Sequence, residues 1–185
     1  MSRYDVRDLL RVPGLLSLAR IPLAAAFTFV VGRPLVAFGV LVVAGLTDVL
    51  DGWYARRFDQ VTATGSVLDP ITDKLFVTTV AITLVVTGHL SIAAVVLLST
   101  REIGELPLVV WFAASPAARR ARVEQPSANV VGKIATALQF VSVSVALFRA
   151  PHPSYWVGAT AVAGVLAAIT YWRRALVVPP ARRAA

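Results

Sequence analysis

Apolar residues fall along this chain in long runs, with the polar positions collected between them. Six runs are predicted to be membrane-spanning helices, at roughly 15–31, 35–54, 69–87, 90–114, 130–149 and 155–172. Most reach the ~20 residues that a helix needs to cross a ~30 Å hydrocarbon core. Helix is the form that satisfies its own backbone hydrogen bonds in lipid. The turns at Gly32-Arg33-Pro34, Gly88-His89 and Ala150-Pro151-His152-Pro153 are short, whereas the connections at about 55–68 and 115–129 are longer and polar. Ahead of the first run, Val6, Leu9 and Leu10 share a face opposed by Arg3, Arg7 and Arg11. That pattern predicts an amphipathic helix over 2–12, lying along the membrane interface and broken by Pro13-Gly14. The expected fold is all-α: a juxtamembrane helix over 1–13, a six-helix transmembrane domain over 14–175 and a basic tail over 176–185.

Composition strengthens this reading. Hydrophobic residues make up 57% of the 185, above the roughly 45–50% of soluble domains. The absence of Cys excludes disulfides, thiolate nucleophiles and Cys-ligated zinc. The two histidines, His89 and His152, lie in separate turns, which argues against a His-based site. The N-terminus carries both charge signs and no small-residue cleavage site follows it, so the first span is expected to stay in the mature protein.

The formal net charge of +8 sits beside apolar spans, without the aromatic interleaving of a nucleic-acid surface. Arg3, Arg7, Arg11, Arg56, Arg57, Arg119, Arg120, Arg122, Arg173, Arg174, Arg182 and Arg183 all fall on one side of a six-span layout; Arg33 and Arg149 fall on the other. The positive-inside rule then places both termini and the two longer loops in the cytoplasm, facing anionic headgroups. The expected setting is the inner (plasma) membrane, with no nucleic-acid partner. Trp and Tyr near the span ends form an interfacial belt.

Ionisable residues inside spans are costly in lipid and point to function. Asp48 and Asp51 end the second span; Asp69, Asp73 and Lys74 open the third. Arg20 lies in the first span, Arg101 and Glu102 in the fourth, and Lys133 opens the fifth. The i, i+3 spacing of Asp48 and Asp51, and the i, i+4 spacing of Asp69 and Asp73, put each pair on one helix face. Four converging carboxylates repel one another. A pair of hard cations relieves that conflict, and oxygen-only ligation favours Mg²⁺ or Mn²⁺. Gly52, Ala55 and Gly65 keep the surroundings small enough for a ligand to approach, and Arg56 is placed to clamp phosphate. A proton relay or cation site in a transporter uses similar carboxylates and remains an alternative at this point.

The full string is D48-V-L-D51-G52-W-Y-A55-R56, eight residues, then G65-S-V-L-D69-P-I-T-D73. It resembles the D-x2-D-G-x2-A-R-x8-G-x3-D-x3-D pattern of the CDP-alcohol phosphotransferase family, without a gap. PGLLSLARIPLA resembles that family's opening N-x-L-T-x-x-R segment, with Gly14 in place of Asn and Ser17 in place of Thr. VVGKIATALQ resembles its later G-K-x-x-T-x-x-Q segment, with Ala135 where Lys or Asn is common. The resemblance implies a six-span homodimer that moves a phosphatidyl group from CDP-diacylglycerol to a hydroxyl acceptor and releases CMP. It implies two metals, with Asp48 and Asp69 bridging both, Asp51 on the first and Asp73 on the second. Ser17, Gly52, Ala55, Arg56, Thr62 and Gly65 would touch the CDP-diacylglycerol donor, and Asp73 would also be the general base.

The acceptor expected from the closest-looking branches is sn-glycerol 3-phosphate, giving phosphatidylglycerophosphate. Phosphatidylglycerol, giving cardiolipin, and an inositol phosphate are the alternatives. Arg101 and Lys133 are the candidate acceptor-phosphate ligands, because each sits within or at the edge of a span. The Arg119, Arg120 and Arg122 cluster either binds substrate or only sets topology. A transporter would carry ion flux and release no CMP. A metal-dependent prenyl transferase lacks the Gly-Ala-Arg-Gly frame.

Overall fold

A computed structural model describes residues 12–58, 63–114 and 130–177. Among them all regular structure is helical, in eight helices: α1 Val12–Leu18, α2 Arg20–Val30, α3 Pro34–Arg57, α4 Ala63–Val86, α5 Ile92–Leu98, α6 Thr100–Ala114, α7 Val130–Leu147 and α8 Pro153–Val177. The chain divides into two compact units, Met1–His89 and Leu90–Ala185.

Among the described residues, four stretches are long and apolar enough to cross a membrane: Val12–Val30, Pro34–Tyr54, Val130–Leu147 and Pro153–Ala175. This is the composition of a membrane protein. Large apolar side chains point outward throughout, Phe29 being 86% exposed and Val86 79%, as lipid rather than water permits. The other two expected spans carry three charges each. Helix α4 is long but holds Asp69, Asp73 and Lys74. The run at 90–114 holds Arg101, Glu102 and Glu105 and is interrupted at Ser99, between α5 and α6.

Local sequence explains the boundaries. Pro13 and Gly14 lie within the described part of α1. The amphipathic helix expected over 2–12 lies outside the described residues except for Val12. Pro22 lacks the N–H that Leu18 would bond, and α1 gives way to α2 there. Ala19 keeps helical dihedrals, so Val12–Val30 runs on as one stretch. Gly88, at φ +71°, ends α4: its N–H bonds Val85 O at 3.1 Å and that of His89 bonds Leu84 O at 2.8 Å, a Schellman cap.

In the first unit, α1 and α2 pack against α3 and α4 over buried Ala24, Phe27, Ala37, Leu41, Ala44, Phe76 and Leu84. In the second unit α8 is the common partner of α5, α6 and α7. Ala135, Ala163 and Ala167 form its core, flanked by Val131, Leu138 and Tyr171. Small residues permit this closeness, as is usual between helices in lipid. A Cβ on Gly104 would lie 2.6 Å from that of Ala168, and one on Gly164 would strike Thr100 Oγ1.

Candidate active site

Helices α3 and α4 extend further than the sequence pattern predicts, to Arg57 and from Ala63. Asp48 and Asp51 therefore lie about two turns before the end of α3, and Asp69 nearly two turns inside α4. Helix spacing keeps each pair on one face, and residues from α1 and α2 bind the carboxylates together.

Arg20, the first residue of α2, is the centre of this arrangement and is only 1% exposed. Its Nη2 donates to Asp48 Oδ1 at 2.7 Å and to Asp51 Oδ2 at 2.5 Å. Its Nη1 reaches Thr72 Oγ1 at 3.5 Å. One turn earlier, Ser17 Oγ lies 3.1 Å from Asp51 Oδ2, 2.5 Å from Asp69 Oδ1 and 3.0 Å from Pro13 O. A hydroxyl has one proton to donate, so three acceptor oxygens crowd a single donor. Asp51 is nearly buried, whereas the Asp48 side chain is 58% exposed. Asp69 is partly buried and Asp73 exposed.

The donor set suits a hard divalent ion: carboxylate oxygens from two helices, more acceptors than protons, and a cation already lodged between two of them. Among the described residues no three acids converge closely enough to hold an ion as they stand; Arg20 and Ser17 are the links between them.

Gly52 follows Asp51 in α3 and is partly buried. Ala55 and Arg56 continue α3 and Gly65 lies in the opening turn of α4, but their side-chain surroundings, like Thr62 as a whole, lie outside the described residues. So do Arg119, Arg120 and Arg122.

In the second unit, Arg101 Nη1 donates to Gly132 O at 3.3 Å and to Thr136 Oγ1. Glu102 and Glu105 flank its guanidinium at 3.6 and 3.4 Å. Lys133 is exposed on α7 beside Gly132. Arg101 and Lys133 therefore belong to neighbouring positions on α6 and α7. The two residues that sequence reasoning left without a role are Arg20 and Thr72. The i, i+3 spacing of Ser17 and Arg20, on one helix face, is the signal that ties Arg20 to the site.

Carboxylates gathered within apolar helices, with a buried guanidinium and a hydroxyl between them, form the candidate site of a membrane protein. The chain belongs to the CDP-alcohol phosphatidyltransferase family, whose profile matches residues 10–173. Among individual relatives it is 33% identical over 174 residues to the CDP-diacylglycerol–glycerol-3-phosphate 3-phosphatidyltransferase of Escherichia coli K12, covering 87% of this chain and 89% of that one. The enzyme of the same name from Salmonella typhimurium LT2 shows the same identity and coverage. The cardiolipin synthase (CMP-forming) of Streptomyces coelicolor is 30% identical over 145 residues, covering 73% of this chain and 64% of the relative.

Proposed function

We propose that the protein is a CDP-diacylglycerol-dependent phosphatidyltransferase that uses sn-glycerol 3-phosphate as acceptor and forms phosphatidylglycerophosphate. The observation that carries this reading is the linking of Asp48, Asp51 and Asp69 through Arg20 and Ser17, within the family's Asp-Gly-Ala-Arg-Gly frame. The names and near full-length coverage of the enterobacterial relatives support the acceptor.

On this reading Asp48, Asp51, Asp69 and Asp73 hold two Mg²⁺ or Mn²⁺ ions. When bound, such ions offset the diphosphate charge and stabilise charge developing at phosphorus. Gly52, Ala55, Arg56, Thr62, Gly65 and Ser17 hold the donor. Asp73 takes the proton from the acceptor hydroxyl, whose oxygen bonds to the phosphatidyl phosphorus as the bond to CMP breaks. Arg101 and Lys133 hold the acceptor phosphate.

The same reading has α4 and the α5–α6 run crossing the membrane too, for six spans in a single catalytic domain. It places the interfacial N-terminal helix, both termini and the site on the cytoplasmic face of the plasma membrane, in a homodimer. A second reading, cardiolipin synthesis from phosphatidylglycerol, is favoured by the Streptomyces relative's name. Purified protein given CDP-diacylglycerol with glycerol 3-phosphate, phosphatidylglycerol or an inositol phosphate separates these. CMP release with glycerol 3-phosphate alone is the expected result. Release with phosphatidylglycerol alone moves the assignment to cardiolipin, and ion flux without CMP release removes the transferase reading.

A further inference from the structure

The Arg20 guanidinium holds the oxygens that a divalent ion needs. Nη2 alone bridges Asp48 Oδ1 and Asp51 Oδ2, lying between two carboxylates from one helix face as an ion does. The rest of the guanidinium is weakly held. Nη1 is at the limit of hydrogen bonding to Thr72, and Nε is buried with no hydrogen-bond partner. A buried arginine that serves only as a structural tie normally has its donors satisfied. Here nearly all of the attraction runs through the two carboxylates. One monovalent group stands between two carboxylates, so the arrangement favours exchange for an ion of higher charge.

We propose that Arg20 is the resident cation of this site: it occupies Asp48 and Asp51 while no divalent ion is bound, and gives up those oxygens when ions bind. Guanidinium and metal then compete. Arg20 keeps the aspartate pair aimed and paired in lipid, where unpaired carboxylates are costly. It also scales the apparent metal affinity down to the fraction of the protein in which it has released the pair. This inference rests on the metal-dependent reading above and makes Arg20 a positioning residue.

The test is Mn²⁺ binding to the purified full chain in detergent, without substrate, followed by electron paramagnetic resonance of free Mn²⁺. Arg20→Gln is expected to bind Mn²⁺ about tenfold more tightly than wild type, and to gain more thermal stability from Mn²⁺. Arg20→Lys keeps the charge, but its side chain ends one bond short of the Nη2 position that bridges the two carboxylates. It is expected to bind Mn²⁺ severalfold more tightly, and it is also the milder variant for folding. If Arg20→Gln binds more tightly while Arg20→Lys matches wild type, Arg20 acts only by through-space repulsion and the competition is overturned. Weaker or unchanged binding in both variants also overturns it, leaving the proposed function intact. If wild type and both variants all fail to bind Mn²⁺, the metal-dependent reading falls and this inference with it.

Discussion

Each unit of the molecule contains an arginine held by two acids, and the two arrangements differ in where those acids come from. Arg20 in α2 is held by Asp48 and Asp51 of α3, residues 28 and 31 positions away. Arg101 in α6 is held by Glu102 and Glu105 of its own helix. The first pairing forms only when helices pack, and it lies among further carboxylates. The second is largely local to one helix, the Glu105 pair being of the ordinary i, i+4 kind, and it presents the arginine to Thr136 and the Gly132 carbonyl of α7. A cross-helix pair fixes the geometry of a reaction centre; a same-helix pair sets the direction of one side chain.

The comparison predicts chemistry in the first unit and acceptor choice in the second. The largest effect is expected from Asp73→Asn, which should lower CMP release by roughly 10²–10⁴-fold, the range for removing a general base. Metal-dependent binding of CDP-diacylglycerol should persist in part, and full activity would sink the base assignment. Next, Asp51→Asn and Asp69→Asn should each cost on the order of 10²–10³-fold in CMP release, as for loss of a charge-stabilising element. These variants should also weaken Mn²⁺ binding, which Asp73→Asn should do less. For Arg101→Ala, the expected change is a KM for glycerol 3-phosphate raised about 10–100-fold, the range for a lost charge-assisted hydrogen bond, with kcat nearly kept. A fall in kcat with KM unchanged would erase the distinction between the units.

Smaller effects test packing alone. Gly104→Ala puts a methyl group 2.6 Å from the Cβ of Ala168, which cannot swing away, and should cost about 1–3 kcal/mol in detergent unfolding. Gly132→Ala should cost less, because it meets only the hydroxyl end of Tyr171. Smallest of all is Ser142→Ala, which removes the 2.8 Å Ser142–Thr160 bond between α7 and α8. Side-chain hydrogen bonds between membrane helices average about 0.6 kcal/mol.

The aspartates were legible because helix periodicity is local: positions three and four apart share a face wherever the helix ends. The partnership of Arg20 was not legible to that depth, since no spacing rule pairs residues across separate helices. The helix boundaries around the site also depart from the apolar pattern. Residues 55–57 and 63–68 read as loop, yet they belong to α3 and α4. Ala55, Arg56 and Arg57 are good helix formers, whereas Thr64, Gly65 and Ser66 are weak ones and are helical against that preference. The interruption at Ser99 was hidden for the opposite reason. The apolar run continues through Leu97-Leu98, and helical bonds resume at once, with Ile103 N donating to Ser99 O at 2.9 Å.

The central place of α8 has a consequence for biosynthesis. Chains emerge from the ribosome N-terminus first, and units fold as they become available. All four helices that build the first unit have been made by the time His89 emerges. Helices α5, α6 and α7 must instead wait for α8, the last described helix, before Ala163 and Ala167 complete their common core. A ribosome stalled in the α7–α8 turn would leave a nascent chain whose carboxylate centre can assemble while its second half has nothing to pack around.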